Sequence, residues 1–208
     1  MNVNAARADH GSVSSEDIVL ASRCKQGDPT AFARLLRRYR KGVYRVAYAI
    51  LGNPDDAQDA AQEAFVRAYT AIQSLDHNRS FADWIRRIAV NCAISSLRKR
   101  KRAARNVSPG ADVGSAVASV DPVQHAAASD LQRQLRAALD ALPPRQRAAM
   151  TLFALQDMEL TDVADAMGCA APTARVHLHR ARRKLRKLLA EYLAENASVL
   201  KEDESREM

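Results

Sequence analysis

The chain has few of the residues that break or bend a backbone. Its 208 residues include seven glycines, seven prolines, one tryptophan, five tyrosines and four phenylalanines. So few turn-formers cannot supply a protein built from many short strands, and alanine, leucine and arginine dominate instead. The fold class this predicts is all-α. Cysteine is equally scarce. Cys24, Cys92 and Cys169 are odd in number and far apart, so no disulfide framework follows, and no Cys-x-x-Cys pair exists. Long apolar runs are missing too. The most hydrophobic stretch, Val43 to Leu51, is interrupted by Arg45 and is too short to span a bilayer. Residues 1–15 are polar, without the apolar centre of a signal peptide, and a cytoplasmic location is expected.

Catalytic signatures are also lacking. No Gly-Lys-Ser or Gly-Lys-Thr phosphate loop occurs. His177 and His179, with Cys169, suggest a metal only at first sight. Residues two apart on a helix do not share a face, and a fourth ligand is missing. His10, His77 and His125 fall in loops or a tail. No nucleophile can be paired with a base, so no enzyme, metal or other cofactor is expected.

Positive charge is plentiful. The formal net charge is +8, and the cations concentrate at Arg86 to Arg105 and at Arg175 to Lys187. Each stretch is a candidate for a polyanion. The first begins at Ser80, a good N-cap, with Asp83 in the first turn where negative charge suits the helix dipole. Phe81, Trp84, Ile85, Ile88, Cys92 and Leu97 recur at helical spacing as an apolar stripe. Arg86, Arg87 and the run Arg98 to Arg102 add cations, and no carboxylate follows Asp83 until Asp112. A nucleic-acid backbone fits such a helix. A solvated amphipathic helix accounts for the same pattern.

Before it, a short helix is expected from Glu16 to Gln26. Gly27-Asp28-Pro29 then ends one helix and starts the next, with Asp28 as cap and Pro29 in the first turn. The second helix presents Phe32, Leu35, Leu36, Tyr39, Val43, Tyr44, Ala47, Ile50 and Leu51 to a core, until Gly52-Asn53-Pro54 stops it. A third helix packs through Ala57, Ala60, Ala61, Ala64, Phe65 and Ala68. Its other face carries Asp55, Asp56, Gln58, Asp59, Gln62 and Glu63. That acidic face in a basic protein fits either solvation or docking of a basic partner.

After Arg105 the stretch Asn106 to Val120 turns to Ser, Gly, Ala and Val and reads as a flexible linker. Pro122 can open the next helix, with Leu131, Leu135, Ala138, Leu139 and Leu142 on one face. Pro143-Pro144 breaks it and starts another. Then a short helix at Leu160 to Met167, with Thr161 as cap, meets the turn Gly168-Cys169-Ala170-Ala171. A helix opening at Pro172 follows and is basic from Arg175. Short helix, glycine turn and basic helix is the helix-turn-helix order, whose second helix enters the major groove. A plain helical hairpin is the competing reading. Five segments result: a disordered tail over 1–15, a helical domain over 16–105, the linker over 106–121, a second helical domain over 122–194 and a polar, loose tail over 195–208.

Four stretches in this order resemble the bacterial sigma-70 family, in its extracytoplasmic-function (ECF) group and RpoE-like branch. They are Gly27-Asp28 with Ala31-Phe32; Asp59-Ala60-Ala61-Gln62-Glu63-Ala64-Phe65-Val66-Arg67-Ala68-Tyr69; Phe81 to Asn91; and Leu142-Pro143 with Arg147, followed by the helix-turn-helix ending Arg180-Ala181-Arg182. The similarity covers Glu16 to Leu189. It implies two helical domains, sigma regions 2 and 4, and a subunit that directs RNA polymerase to promoters. Asp59, Gln62, Glu63 and Phe65 would dock on the β′ clamp helices of core polymerase. Leu75 to Phe81, with Asp76, His77, Asn78 and Arg79, would receive a base flipped from the minus-ten element. Trp84, Arg86, Arg87, Asn91, Arg98 and Lys99 would hold the opened strand, since single-stranded bases need stacking surfaces and a positive groove. Thr173, Arg175, Val176, His177, His179 and Arg180 would read the minus-thirty-five element, with the β flap on the other side. An anti-sigma factor, membrane-linked, is the further partner the resemblance implies. The recognition helix departs from the family's usual Gly-Thr-Val opening, with Pro172-Thr173-Ala174 in its place, and carries His177 where arginine or lysine is usual. A stand-alone helix-turn-helix regulator is the competing function, and it leaves the acidic face and Trp84 without a task.

Overall fold

The computed structural model describes residues 15–76, 80–107 and 130–204. Among them the chain forms eight α-helices and no strand. They are α1 (Ser15–Lys25), α2 (Pro29–Leu51), α3 (Pro54–Thr70), α4 (Phe81–Val107), α5 (Asp130–Ala141), α6 (Pro144–Leu155), α7 (Leu160–Met167) and α8 (Ala171–Glu204), with one 3-10 turn at Ile72–Ser74. The all-α expectation holds. His77, Asn78 and Arg79 lie outside the described residues, as does nearly all of the expected linker.

Local chemistry sets the helix ends. The Asp28 carboxylate accepts from the Thr30 and Ala31 amides at 2.8 and 3.3 Å, and Pro29 fills the first turn of α2. Gly52 ends α2 in the left-handed region, at φ 71°, and its amide donates to the Tyr48 carbonyl at 2.7 Å. A side chain there is strained, hence glycine. Asn53 then caps α3, its Oδ1 accepting from the Asp56 amide at 2.9 Å. At α7, Glu159 holds the cap position without a side-chain bond. Thr161 therefore lies inside the helix and is not its cap.

α2, α3 and α4 pack against one another, and α1 packs against α2. Ala57, Ala60, Ala61, Ala64 and Ala68 are all buried, so α3 approaches its neighbours closely. Leu35, Ile50, Leu51, Ile85, Ile94 and Leu97 fill the centre, each contributing roughly 2 kcal/mol by burial. α1 is fixed by a polar anchor. Asp17 is only 4% exposed and accepts from both Arg38 and the Tyr39 hydroxyl.

The second unit, α5 to α8, packs α6 and α7 against α2 and α4. Ala148, Ala149, Leu152, Val163, Met167 and Leu178 join the same continuous core as the first bundle. Ala138, Leu142, Ala181 and Leu185 form a second cluster where α5 meets α8. α4 is thus covered on two sides. Ala89, Val90, Ala93 and Ile94 are buried beside the expected stripe of Phe81, Ile85, Cys92 and Leu97. The C-terminal expectation needs correcting. Residues from Glu195 continue α8 as far as Glu204 instead of leaving as a loose tail, because no Gly or Pro interrupts that stretch.

Candidate nucleic-acid interface and docking face

α3 places Asp55, Gln58, Asp59 and Gln62 in solvent. Glu63 is half-buried and paired with Arg67 at 2.5 Å. Phe65 is buried, at 7% exposure, and lines an open groove of about 780 Å³ between α2 and α3. Phe32, Leu36, Arg40, Tyr44 and Tyr69 line it too. The acidic face and the Phe65 groove are neighbours, because positions 62 and 65 are successive on one helix side.

α4 carries the first basic surface. Trp84 is half-buried, its ring 5.7 Å from Phe81, which in turn lies 5.4 Å from Tyr39. Three aromatics are therefore in series, with Phe81 buried between the half-buried Tyr39 and Trp84. Arg86 is 2.9 Å from Asp83 one turn earlier. Asn91 is half-buried, while Arg87, Arg98 and Lys99 are exposed. Asp76 is exposed just past the 3-10 turn.

α8 carries the second. Ala174, Leu178, Ala181 and Leu185 are buried, so the expected contact residues fall on the opposite side. Thr173, Arg175, Val176, His179 and Arg180 are exposed, and His177 is half-buried. Burial, with Arg145 and Arg180 close by, holds the His177 imidazole below its ordinary pKa. Gly168, at φ 62°, makes the turn between α7 and α8, and its amide returns to the Asp165 carbonyl at 3.1 Å. Arg182 lies over the Phe153 ring at 5.0 Å and so packs within the unit.

The two surfaces are joined by contacts that sequence reasoning missed. Arg100 stands 3.1 Å from Asp56 and 3.8 Å from Asp140. Lys101 donates to the Leu142 carbonyl at 2.6 Å. Burial, with Lys184 and Arg147 nearby, lowers the Lys101 pKa. Arg147 is 4% exposed and paired with Asp140. The available signal was slight: Arg147 follows Arg145 and Gln146 and directly precedes the buried Ala148 and Ala149, where an unpaired guanidinium is costly. Among the described residues, no group of three His, Cys, Asp or Glu side chains is placed to hold a metal ion. No described helix is long and apolar enough to cross a membrane.

Acidic face, aromatic basic helix and helix-turn-helix follow one another along the chain, as they do in a known family. A model of sigma-70 region 2 matches residues 35–103, and one of sigma-70 region 4 matches residues 132–185. The ECF RNA polymerase sigma factor SigW of Bacillus subtilis is 33% identical over 172 residues, 79% of this chain and 92% of the relative. The chain belongs to the ECF group of sigma-70 factors. The ECF sigma-E factor of Escherichia coli K12 is 31% identical over 177 residues, 80% of this chain and 90% of the relative. Among solved structures, the sigma factor RpoE in complex with the anti-sigma factor NepR from Bartonella quintana aligns at 28% identity and a TM-score of 0.55. That alignment covers 76% of this chain and 96% of the solved one. Region 2 of this ECF factor thus includes most of α2, all of α3 and most of α4, and region 4 includes most of α5, all of α6 and α7, and α8 as far as Leu185.

Proposed function

We propose that this ECF factor docks on core RNA polymerase through Asp59, Gln62, Glu63 and the Phe65 groove, and then directs it to promoters. Trp84, Arg86, Arg87, Asn91, Arg98 and Lys99 hold the separated minus-ten strand, with Asp76, His77, Asn78 and Arg79 around the flipped base. Thr173, Arg175, Val176, His177, His179 and Arg180 meet the minus-thirty-five duplex. The observation that carries this is the division of α3 and α4. One helix offers exposed Asp59 and Gln62, while its neighbour offers a half-exposed indole and exposed Arg98 and Lys99. Acid suits a basic protein surface, and indole with cations suits an opened strand. The solved relative RpoE is bound by an anti-sigma factor, and an inhibitor of that kind is read as the partner here, in the cytoplasm. Sequence positions 1–15, 106–121 and 195–208 are read as the segments flanking and joining the two promoter-binding domains.

Transcription in vitro tests it. Core polymerase with this chain initiates from a promoter selected by the reconstituted holoenzyme, and the pair Asp59→Lys, Glu63→Lys abolishes both core binding and initiation while the helical content stays. If the altered chain binds core as tightly as before, the docking assignment is wrong. If the unaltered chain shifts duplex DNA but adds no initiation, the chain is a stand-alone regulator.

A further inference from the structure

α2 carries a third concentration of positive charge, beyond those on α4 and α8. Arg34, Arg37, Arg38, Arg40, Lys41 and Arg45 crowd its middle, and no carboxylate lies between Asp28 and Asp55. α1 neutralises two of these cations. Arg34 pairs with Glu16, and Arg38 pairs with Glu16 and Asp17. Arg37, Arg40, Lys41 and Arg45 are exposed and make no ion pair among the described residues.

Helical spacing puts Arg37, Lys41 and Arg45 in one row, each about a turn after the last. Tyr44 and Tyr48 flank that row. Their rings stack on each other, with centroids 6.0 Å apart and planes 14° from parallel. Tyr48 is exposed and Tyr44 half-buried, so the outer ring of the pair reaches solvent. A face that serves only solvation has no use for a tyrosine pair among its cations. Two rings held against each other have also lost rotamer freedom before any ligand arrives, which makes stacking on them less costly.

Gly42 stands on the flank of the same row. A Cβ there would meet nothing within 4 Å, so the packing of the chain does not demand a glycine in the middle of α2. It leaves the backbone bare between Arg38 and Arg45, where a bulky ligand can lie close. Leu35, Val43, Val46, Ala47 and Ile50 are buried on the other side of the helix. The row therefore faces away from the core that α2 shares with α4 and is no part of the α4 surface.

A polyanion answers the charge, and the tyrosines narrow its class. Bases stack on aromatic rings while cations follow the phosphates beside them. A duplex keeps its bases stacked inside, which leaves a single strand as the better fit.

We propose that the outer face of α2 is a second single-stranded DNA site, in which Arg37, Lys41 and Arg45 follow the phosphates and Tyr48, backed by Tyr44, stacks a base of the separated promoter strand. That the strand is promoter DNA rests on the reading of the chain as a promoter-opening factor. The site itself does not.

Binding of a mixed-sequence single-stranded DNA to the full chain, titrated over salt, tests this. Each phosphate contact on a single strand contributes about 0.7 to the slope of log affinity against log salt. The triple variant Arg37→Gln, Lys41→Gln, Arg45→Gln is expected to make that slope shallower by about 2. Tyr48→Ala is expected to weaken binding about tenfold at every salt concentration without changing the slope, and Tyr48→Phe to keep the affinity. The replaced side chains are all exposed, and circular dichroism checks that the helices remain. No binding by the wild-type chain at low salt, or a folded triple variant with the wild-type slope, overturns the site. Equal losses on single strand and duplex, with no effect of Tyr48→Ala, overturn the strand assignment. A triple variant that binds DNA normally but core polymerase weakly marks the face as a protein contact instead. The α4 pair Arg98→Gln, Lys99→Gln separates the two readings: if it changes nothing while the α2 variants weaken binding, the α4 assignment fails and the α2 site stands.

Discussion

The Lys25 ammonium donates to the Leu75 carbonyl at 2.6 Å, across 50 positions of sequence. The Gln73 amide returns the tie, donating to the Lys25 carbonyl at 2.8 Å. The C-terminus of α1 thus holds the chain where it leaves the 3-10 turn, at the first residue of the stretch assigned to the flipped base. Lys25→Met removes a charge-assisted bond at a half-buried site and should cost about 1 kcal/mol. Urea unfolding measures that loss. The double variant with Gln73→Ala should cost less than the sum of the singles, because both bonds fix the same backbone. A strictly additive cycle would show that the two bonds act independently.

Asp28 contributes to the acid dependence of the first bundle. Its hydrogen bond from Thr30, with Arg23 and the helix amides adding to it, holds the carboxyl at about 2, against an ordinary 3.8. The folded pKa is depressed. The stabilisation is therefore complete above the ordinary value and is lost as pH falls through about 2. Asp28→Asn keeps an acceptor for the cap but has no charge to lose. Thermal unfolding followed between pH 5 and pH 2 should show a smaller drop in Tm for the variant than for the wild type. Parallel curves would assign the acid sensitivity to other carboxylates.

Asp28, Gly52 and Gly168 show what the sequence made legible. Caps, stops and apolar stripes are local, and they place both ends of α1, α2 and α7 to within a residue or two, while the helix start read at Pro122 lies outside the described residues. Asp59 and Gln62 on one side of α3, and Arg175, Val176, His179 and Arg180 on the side of α8 away from Leu178, are legible for the same reason: 3.6-residue periodicity sorts faces. The contact between the units is not local. Arg100 and Asp140 are distant in sequence, and an arginine in a helix reads as a surface residue until its partner is seen. Asp17 misleads likewise. It lies in line with Leu20, Ala21 and Cys24, and its burial depends on Arg38 and Tyr39 from another helix. Polarity does not mark the end of α8, because no Gly or Pro breaks the helix between Glu195 and Glu204.

Trp84 separates stability from function. Its indole is half-buried at the end of the Tyr39–Phe81–Trp84 series, so Trp84→Ala leaves the deepest part of the core intact. A stability loss of about 1–2 kcal/mol is expected, below the range for a fully buried aromatic. A larger effect is expected on strand opening, since base stacking on an aromatic ring is worth roughly 1–3 kcal/mol per base. Permanganate reactivity of promoter thymines reads opening directly. Trp84→Phe should restore part of it. Equal loss of stability and opening, with no rescue by Phe, would assign the indole to packing alone.

His177 sets how α8 meets phosphate. Burial and the neighbouring Arg145 and Arg180 depress its pKa below the ordinary 6.5. In the free chain above that pH the ring is neutral, and it displaces no counterion, whereas Arg175 and Arg180 do. Each neutralised phosphate contributes about −0.9 to the slope of log affinity against log salt. His177→Ala should therefore leave the slope at pH 7.5 unchanged, while His177→Arg should steepen it by roughly one unit and raise affinity for duplexes of any sequence. As pH falls below 6.5, protonation of the wild-type ring is opposed by Arg145 and Arg180 and favoured by bound DNA. The wild-type slope should then move toward that of the arginine variant, while the alanine variant stays flat. Salt titrations of holoenzyme on one promoter, at two pH values, decide it. A His177→Ala slope that is already shallower at pH 7.5 would mean the imidazole is charged on DNA, and the helix would then carry one more phosphate contact than its arginines supply.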